Sequence, residues 1–237
     1  MVINDLLPTH EDRKVLRWGG LAGILGGVLL IVVFVIVGTF VGTFAGPEAE
    51  VAAYPDVRVA RTFENGLYLL VLVLWAIHFI ALYRALRATS PASALYGSAL
   101  GLMSMVVLAA GALPHVVTAP ISDLYHAPGA TPEERATLVL AWQSSQSIIA
   151  SLLIVGLVIA PIGLILLGVA IRQTPSFGSG VALVTIGLGV AGAASAAVVL
   201  AMPESPTAAV VGIFALITFH LVLGWRTFRL PANGVAG

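Results

Sequence analysis

The chain contains no cysteine and little charge. The absence of cysteine among its 237 residues excludes disulfides, thiolate zinc sites, iron–sulfur clusters and a cysteine nucleophile. Only 9% of the residues are charged, whereas a soluble domain carries roughly a quarter. The formal net charge is zero, so no basic field attracts nucleic acid, and we expect no nucleic-acid partner.

Acidic residues and lysine are missing from the long apolar runs. The only lysine, Lys14, precedes the first run, which excludes a retinal Schiff base within the membrane. No Asp, Glu or Lys lies well inside any run, and Glu64 stands at the edge of the second. Ion- and proton-coupled carriers usually keep such groups at mid-membrane, so the sequence argues against an acid-coupled carrier.

The chain is rich in apolar residues instead. It is 59% hydrophobic with a mean hydropathy of +1.05, more than a soluble core of this size can bury. A membrane-spanning helix needs about 20 mostly apolar residues. We predict one all-α domain over residues 1–237, a polytopic six-helix bundle integral to the lipid bilayer. The predicted spans are 18–44, 66–86, 93–113, 148–171, 178–202 and 207–225, with an outer loop at 114–147.

The distribution of charge predicts the orientation. Eight of the 11 basic residues lie on one side of the predicted spans: Arg13, Lys14, Arg17, Arg84, Arg87, Arg172, Arg226 and Arg229. Eight of the 11 acidic residues lie on the other side: Glu48, Glu50, Asp56, Glu64, Asp123, Glu133, Glu134 and Glu204. Because cytoplasmic loops carry an excess of Lys and Arg, we expect a plasma-membrane protein with its N-terminus and C-terminus in the cytoplasm.

Two helices extend beyond their predicted spans. Thr9 with Asp12 resembles an N-cap pair, which predicts that the first helix begins near residue 10. Thr131 followed by proline and two acids predicts a capped start for the fourth. If that helix continues to Arg172, it is about 60 Å long. It then projects outside the bilayer, or it tilts and kinks at Pro161.

Small residues recur at every fourth position in the first span. Gly19, Gly23 and Gly27 form one ladder, and Gly38, Gly42 and Gly46 form a second. Such ladders allow close approach of helix backbones in lipid. The ladders predict tight packing within the chain, with a homo-oligomer interface as the alternative.

Two histidines occur in matching settings, in WAIHFIALYR (residues 75–84) and FHLVLGWR (residues 219–226). His78 and His220 each precede an arginine by six positions, on helices predicted to run in the same direction. Both imidazoles then lie about 9 Å from the inner arginines. The pair predicts two ligands for haem b or a metal, with Arg84 and Arg226 for the propionates. The alternative is two neutral histidines that hydrogen-bond neighbouring helices, beside interfacial anchors.

The predicted outer loop holds a second candidate site. His115, Asp123 and His126, with Glu133 and Glu134 nearby, are residue types that ligate metals or act as acid–base pairs. Their spacing matches no tight motif. The alternative is a solvated loop with capping residues.

Polar residues also gather in WQSSQS, residues 142–147. Six consecutive positions surround a helix completely, so some of these side chains face protein or water. With Glu64 and Asn65 at the same predicted level, Gln143 and Gln146 predict a polar ligand vestibule. The alternative is that this segment lies above the hydrocarbon, exposed to water.

Two segments resemble known proteins: RWGGLAGILGGVLLIVVFVIVG (residues 17–38) and APIGLILLGVAIRQTPSFGSGVALVTIGLGVAG (residues 160–192). They are similar to a group of bacterial six-helix membrane proteins that are catalogued as a domain of unknown function. The resemblance covers glycine and apolar positions over about a third of the chain. It implies six helices in a bacterial plasma membrane and carries no catalytic residues.

These observations leave three hypotheses of function. The first is a membrane-embedded binding protein for an apolar or planar ligand, with haem b on His78 and His220 as its most testable form. The second is a metal-dependent membrane enzyme with a site at His115, Asp123 and His126. The third is a structural or accessory membrane subunit with no site of its own.

Overall fold

The computed structural model describes residues 10–202 and 206–233. Within them 90% of the residues are helical and no strand occurs, which confirms the all-α prediction. The helices are α1 (His10–Ile36), α2 (Pro47–Leu86), α3 (Pro91–Ala112), α4 (His115–Tyr125), α5 (Pro132–Arg172), α6 (Ser179–Ala201) and α7 (Pro206–Asn233). A π-helical turn at Val37–Val41 follows α1, and a 3₁₀ turn at Pro175–Phe177 precedes α6.

Six helical segments are long and apolar enough to cross a membrane: Glu11–Val41, Pro47–Leu86, Pro91–Tyr125, Pro132–Arg172, Ser179–Ala201 and Ala208–Leu230. Each overlaps one predicted span. Large apolar side chains such as Val73, Val106 and Leu183 are exposed around the bundle, as suits a surface that faces lipid. The fold is an all-helical bundle whose six long apolar helices fit a membrane protein. Thr9 and most of the predicted break between the last two spans lie outside the described residues.

The six long helices form a closed ring. α1 packs against α2 and α7, α2 against α3, α3 against α5, α5 against α6, and α6 against α7. The core inside the ring is apolar and centres on large buried side chains, among them Trp75, Phe79, Leu164, Leu167 and Phe219. Every long helix therefore presents one side to the core and another to the outside of the bundle.

The first glycine ladder holds α1 against its own neighbours. Gly19 and Gly23 face α2, and Gly27 faces α7. A Cβ atom at Gly23 would lie 2.6 Å from Nδ1 of His78, and one at Gly27 would lie 2.8 Å from Cδ2 of Leu221. This ladder is thus used for packing within the chain, the first of the two predicted roles.

The second glycine ladder behaves differently. A Cβ atom at Gly38, Gly42 or Gly46 would meet nothing within 4 Å. Gly42 and Gly46 have φ angles of 71° and 151°, which side chains other than glycine rarely adopt. These glycines shape the connection between α1 and α2, and a homo-oligomer interface at this ladder stays a prediction.

A small helical cap stands at one end of the ring. α2 and α5 contain 40 and 41 residues, so each is about 60 Å long, roughly twice the hydrocarbon thickness. We define the cap as residues 47–64, 115–125 and 132–147. Val51, Tyr54 and Trp142 form its own buried cluster.

The segment predicted as an outer loop is therefore largely helical. α4 occupies residues 115–125 of it, and α5 begins at Pro132. The predicted N-capping of α5 by Thr131 is confirmed: the Thr131 hydroxyl accepts from the Glu134 amide at 3.2 Å, and the Glu134 carboxylate accepts from the Thr131 amide at 2.8 Å. α5 continues from Thr131 through Pro161 to Arg172 without interruption.

Candidate functional site

An apolar cavity lies inside the ring, close to the cap. It has a volume of about 260 Å³ and is walled by α1, α2, α3, α5 and α7. Most of its lining is aliphatic or aromatic, including Leu30, Val33, Phe34, Leu108, Leu153, Leu157, Ile213 and Leu216. No single helix provides this space, because each contributes only a few side chains to it.

One face of α2 lines the whole length of the cavity. Arg61, Glu64, Tyr68, Leu72 and Trp75 follow one another three or four positions apart. Residues at this spacing share one side of a helix. The polar members lie towards the cap, and Trp75 lies deepest in the bundle. The cavity therefore has a polar mouth and an aromatic floor.

An ion-paired cluster forms the mouth. The Arg61 guanidinium donates to Glu64 over 3.4 Å and to Glu50 over 3.5 Å. The second oxygen of Glu50 accepts from the indole N–H of Trp142 at 3.1 Å. His115, which begins α4, also lines the mouth. The bonds of Arg61 are long and involve only part of its five N–H donors, so this side chain retains hydrogen-bonding capacity towards the cavity.

A histidine pair supports the floor. The ring of Trp75 stacks on that of His220 with centroids 4.1 Å apart and planes 6° apart. His220 Nδ1 lies 2.8 Å from Nδ1 of His78, and both histidines are fully buried. The structure thus brings together the two histidines that the sequence placed at one depth. Neither Nε2 atom has a hydrogen-bond partner within the described residues.

The placed residues do not fit haem b. Two axial imidazoles on opposite sides of a haem iron hold their ligating nitrogens about 4 Å apart, twice a metal–nitrogen bond of about 2 Å, whereas these nitrogens are in direct hydrogen-bond contact at 2.8 Å. Gly23 packs against His78, and Trp75 covers His220, so no space remains for a porphyrin plane. The arrangement matches the alternative of neutral, hydrogen-bonded histidines.

The two arginines predicted to hold propionates have other partners. Arg84 forms an ion pair with Asp12 of α1. Arg226 donates to the backbone carbonyl of Ser176 at 2.6 Å. Both side chains therefore join neighbouring segments at the end of the bundle opposite the cap.

The three predicted metal ligands do not converge. Nδ1 of His126 lies 2.8 Å from the carbonyl of Ser122, and its Nε2 lies 3.1 Å from the carbonyl of Ala52. Asp123 pairs with Arg58 at 2.8 Å. Within the described part of the chain, no group of three or more His, Asp or Glu could hold a metal ion. His126 and Asp123 instead attach α4 to α2, whereas His115 faces the cavity.

Three of the four predicted vestibule residues line two adjoining spaces, whereas Asn65 lines neither of them. Glu64 lines the apolar cavity. Gln143 and Gln146 line a second, more polar cleft of about 570 Å³. Arg61 lines both spaces, and Asn65 has a buried carbonyl oxygen without a partner in the described structure.

Sequence reasoning missed Arg61, Tyr68 and Trp75 as cavity residues. The signal was present, since these positions continue the helical spacing of Glu64 along one face of α2. The cavity itself left no such signal, because its remaining walls, apart from His115, are ordinary apolar residues on other helices.

The structure is thus a bundle of six long helices that could span a membrane, with an apolar cavity among them. The chain matches no known protein family, no curated protein and no solved structure. Its function must therefore be argued from the chemistry of the cavity and its mouth.

Proposed function

We propose that the protein is a membrane-embedded binding protein for an apolar, chain-bearing ligand held in the cavity. The observation that carries this proposal is an apolar space of about 260 Å³ with charged residues at one end only. Its volume is close to the lower end of the range for ligand pockets, about 300–1,000 Å³. Apolar walls with a few polar groups at one end are typical of such sites.

The shape of the cavity favours a flexible chain over a planar macrocycle. Its α2 wall extends from Arg61 to Trp75, a rise of about 21 Å along the helix axis. A cavity of this length and small volume must be narrow. An alkyl or isoprenoid chain fits a narrow apolar space, with its polar end beside Arg61, Glu64 and His115.

Equilibrium binding of tritiated 1-hexadecanol to the protein in nanodiscs tests this proposal, with empty nanodiscs subtracted. We expect saturable binding. Leu153→Trp places a larger side chain in the cavity and should weaken binding about tenfold or more. The reason is that an oversized side chain in a packed space costs about 1–3 kcal/mol, which is on the order of tenfold in affinity. The matched control is Leu183→Trp on the exposed face of α6, which should bind as the unmodified chain does. Absence of saturable binding, or equal binding by both variants, would overturn the proposal.

We also propose an orientation in the plasma membrane of a bacterium, with the cap outside and both termini in the cytoplasm. The resemblance of residues 17–38 and 160–192 to bacterial six-helix proteins supports the choice of membrane. The orientation is supported by the basic residues at the end opposite the cap, among them Arg84, Arg87 and Arg172, since such residues favour the cytoplasmic side.

A further inference from the structure

A polar cleft adjoins the mouth of the apolar cavity. It is lined by the connection between α1 and α2, by Glu50 and Arg61 of α2, and by Gln143, Gln146 and Ser147 of α5. Its volume is about 570 Å³. Because Arg61 lines both spaces, a single molecule that passes this side chain reaches the cleft and the cavity together.

The α5 wall of the cleft presents unused amide groups. Gln143 and Gln146 are three positions apart and so lie side by side on one helix face. Neither side chain has a hydrogen bond to another described residue. Each amide offers two donors and a carbonyl acceptor. The Ser147 hydroxyl donates to the Gln143 backbone carbonyl at 2.9 Å and keeps its own lone pairs as acceptors.

The charged residues of the cleft are already paired. One oxygen of Glu50 accepts from Arg61 and the other from Trp142. The Glu50 carboxylate offsets the positive charge of Arg61, so the charged residues that line the cleft leave no net positive charge to attract a phosphate or carboxylate. Both oxygens of Glu50 already accept hydrogen bonds, so they are not free to bind a cation. The amides of Gln143 and Gln146 are therefore neutral groups that are fully available for binding, and amides pair well with hydroxyl groups.

The connection between α1 and α2 forms the other wall of the cleft, with Gly42, Thr43, Phe44, Gly46 and Pro47, and Phe44 is its only aromatic residue. Gly42 and Gly46 leave it open, since a Cβ atom at either would meet nothing within 4 Å. Phe44, between them, is half-buried and lines the cleft. An aromatic face opposite hydrogen-bonding amides suits a ligand group that has both apolar C–H faces and a rim of hydroxyls.

We propose that the ligand is a lipid with an uncharged glycosyl head. This inference rests on the proposed function, because the chain of that lipid lies in the apolar cavity. The sugar lies in the cleft, where Gln143 and Gln146 hydrogen-bond its hydroxyls and Phe44 packs against its ring. Arg61 lies at the junction between chain and head.

Competition against tritiated 1-hexadecanol tests the head group with matched chains. The competitors are hexadecyl β-D-glucoside and hexadecylphosphocholine, each added to the protein in nanodiscs. We expect the glucoside to bind about tenfold more tightly than 1-hexadecanol, the gain from one or two net hydrogen bonds. The phosphocholine should show no such gain.

The double variant Gln143→Leu/Gln146→Leu should lose the tenfold gain for the glucoside and keep its affinity for 1-hexadecanol. That retained affinity also shows that the variant is folded. The matched control is Gln173→Leu at the other end of α5, where the residue is exposed and lines neither space. It should leave all three affinities unchanged.

The outcomes separate the two proposals. If 1-hexadecanol binds but the glucoside gains nothing, or gains equally in the double variant, the glycosyl head is overturned and the chain site stands. If the phosphocholine binds more tightly than the glucoside, the head is charged, and the glycosyl assignment is overturned as well. If no probe shows saturable binding, the proposed function fails together with the inference that rests on it.

Discussion

The hydrogen bond between His78 and His220 constrains both imidazoles. A contact between two Nδ1 atoms needs one donor and one acceptor, so the neutral rings must adopt opposite tautomers. The rings are fully buried, where an unpaired polar group is costly. The pair therefore links α2 to α7 in a defined register beneath the cavity floor.

The coupling between these histidines can be measured. His220→Phe keeps an aromatic ring against Trp75 but leaves Nδ1 of His78 without its partner, which should cost about 1–3 kcal/mol. His78→Leu should do the same to His220. We expect the double variant to be less destabilised than the sum of the single variants by about 1 kcal/mol or more. The free energy of unfolding of the three variants is compared in detergent. If the losses of the single variants add up to that of the double variant, a direct bond between the histidines is contradicted.

The sequence predicts part of this residue-level arrangement. Equal distances from Arg84 and Arg226 place His78 and His220 at one depth on helices of the same direction. Whether their rings meet depends on how far each helix rotates about its axis. That rotation is set by close packing at Gly23 and Trp75, a property of several helices together, which a spacing along one helix does not contain.

At the scale of the helix, the close contact of α1 with α7 depends on glycines, which have no side chain. A Cβ atom at Gly20 would contact the amide nitrogen of Phe228 and lie 2.6 Å from the Gly224 carbonyl oxygen. Both are backbone atoms, which cannot move aside as a flexible side chain can. The two helices must separate if Gly20 is replaced.

Gly20→Ala should therefore destabilise the bundle by about 1–3 kcal/mol, the usual cost of overpacking a fitted contact. The matched control is Gly66→Ala on α2, where a Cβ atom would meet nothing within 4 Å. There alanine should stabilise the helix by up to about 1 kcal/mol. Thermal unfolding in one detergent compares the two variants, and equal effects would show that the α1–α7 approach is looser than the structure indicates.

The long apolar helices and the start of α5 at Thr131 could be predicted from the sequence, but the cap helices at residues 47–64 and 115–125 could not. A run of about 20 apolar residues is sufficient to predict a membrane-spanning helix. The cap helices are polar outside and include Pro55 and Pro120, so neither hydropathy nor helix propensity marks them. Their helical state follows from packing around Tyr54 and Trp142, which come from distant parts of the chain.

At the scale of the whole molecule, the distribution of charge gives the chain two unlike ends. The cap carries acids and the ion pairs Arg58–Asp123 and Arg61–Glu50. The opposite end carries arginines that hold the ends of the helices, as Arg84 does with Asp12. The positive end is the one expected in the cytoplasm.

The orientation can be tested with single cysteines, because the chain has none of its own. Pro128→Cys, in the exposed connection between α4 and α5, should react with a membrane-impermeant maleimide in intact bacterial spheroplasts. Ala88→Cys, in the exposed connection between α2 and α3, should react only after lysis. The reverse pattern of labelling would invert the proposed orientation.

The apolar cavity was the least predictable feature at this scale. The sequence suggested a binding protein because two histidines stand out in apolar surroundings, yet the residues that meet an internal space are mainly aliphatic. Such residues look the same whether they fill a core or border a cavity. The volume left between five helices depends on their joint packing, which no local pattern records.

The continuous helices α2 and α5 have a mechanical consequence. Each runs unbroken from the cap into the bundle, and α2 carries Tyr54 of the cap and Arg61 of the cavity mouth on one rod. No loop separates these two residues, so we expect a displacement of the cap to be coupled to the mouth through the helix. A molecule that binds to the cap would therefore act on the width of the cavity entrance through this helix.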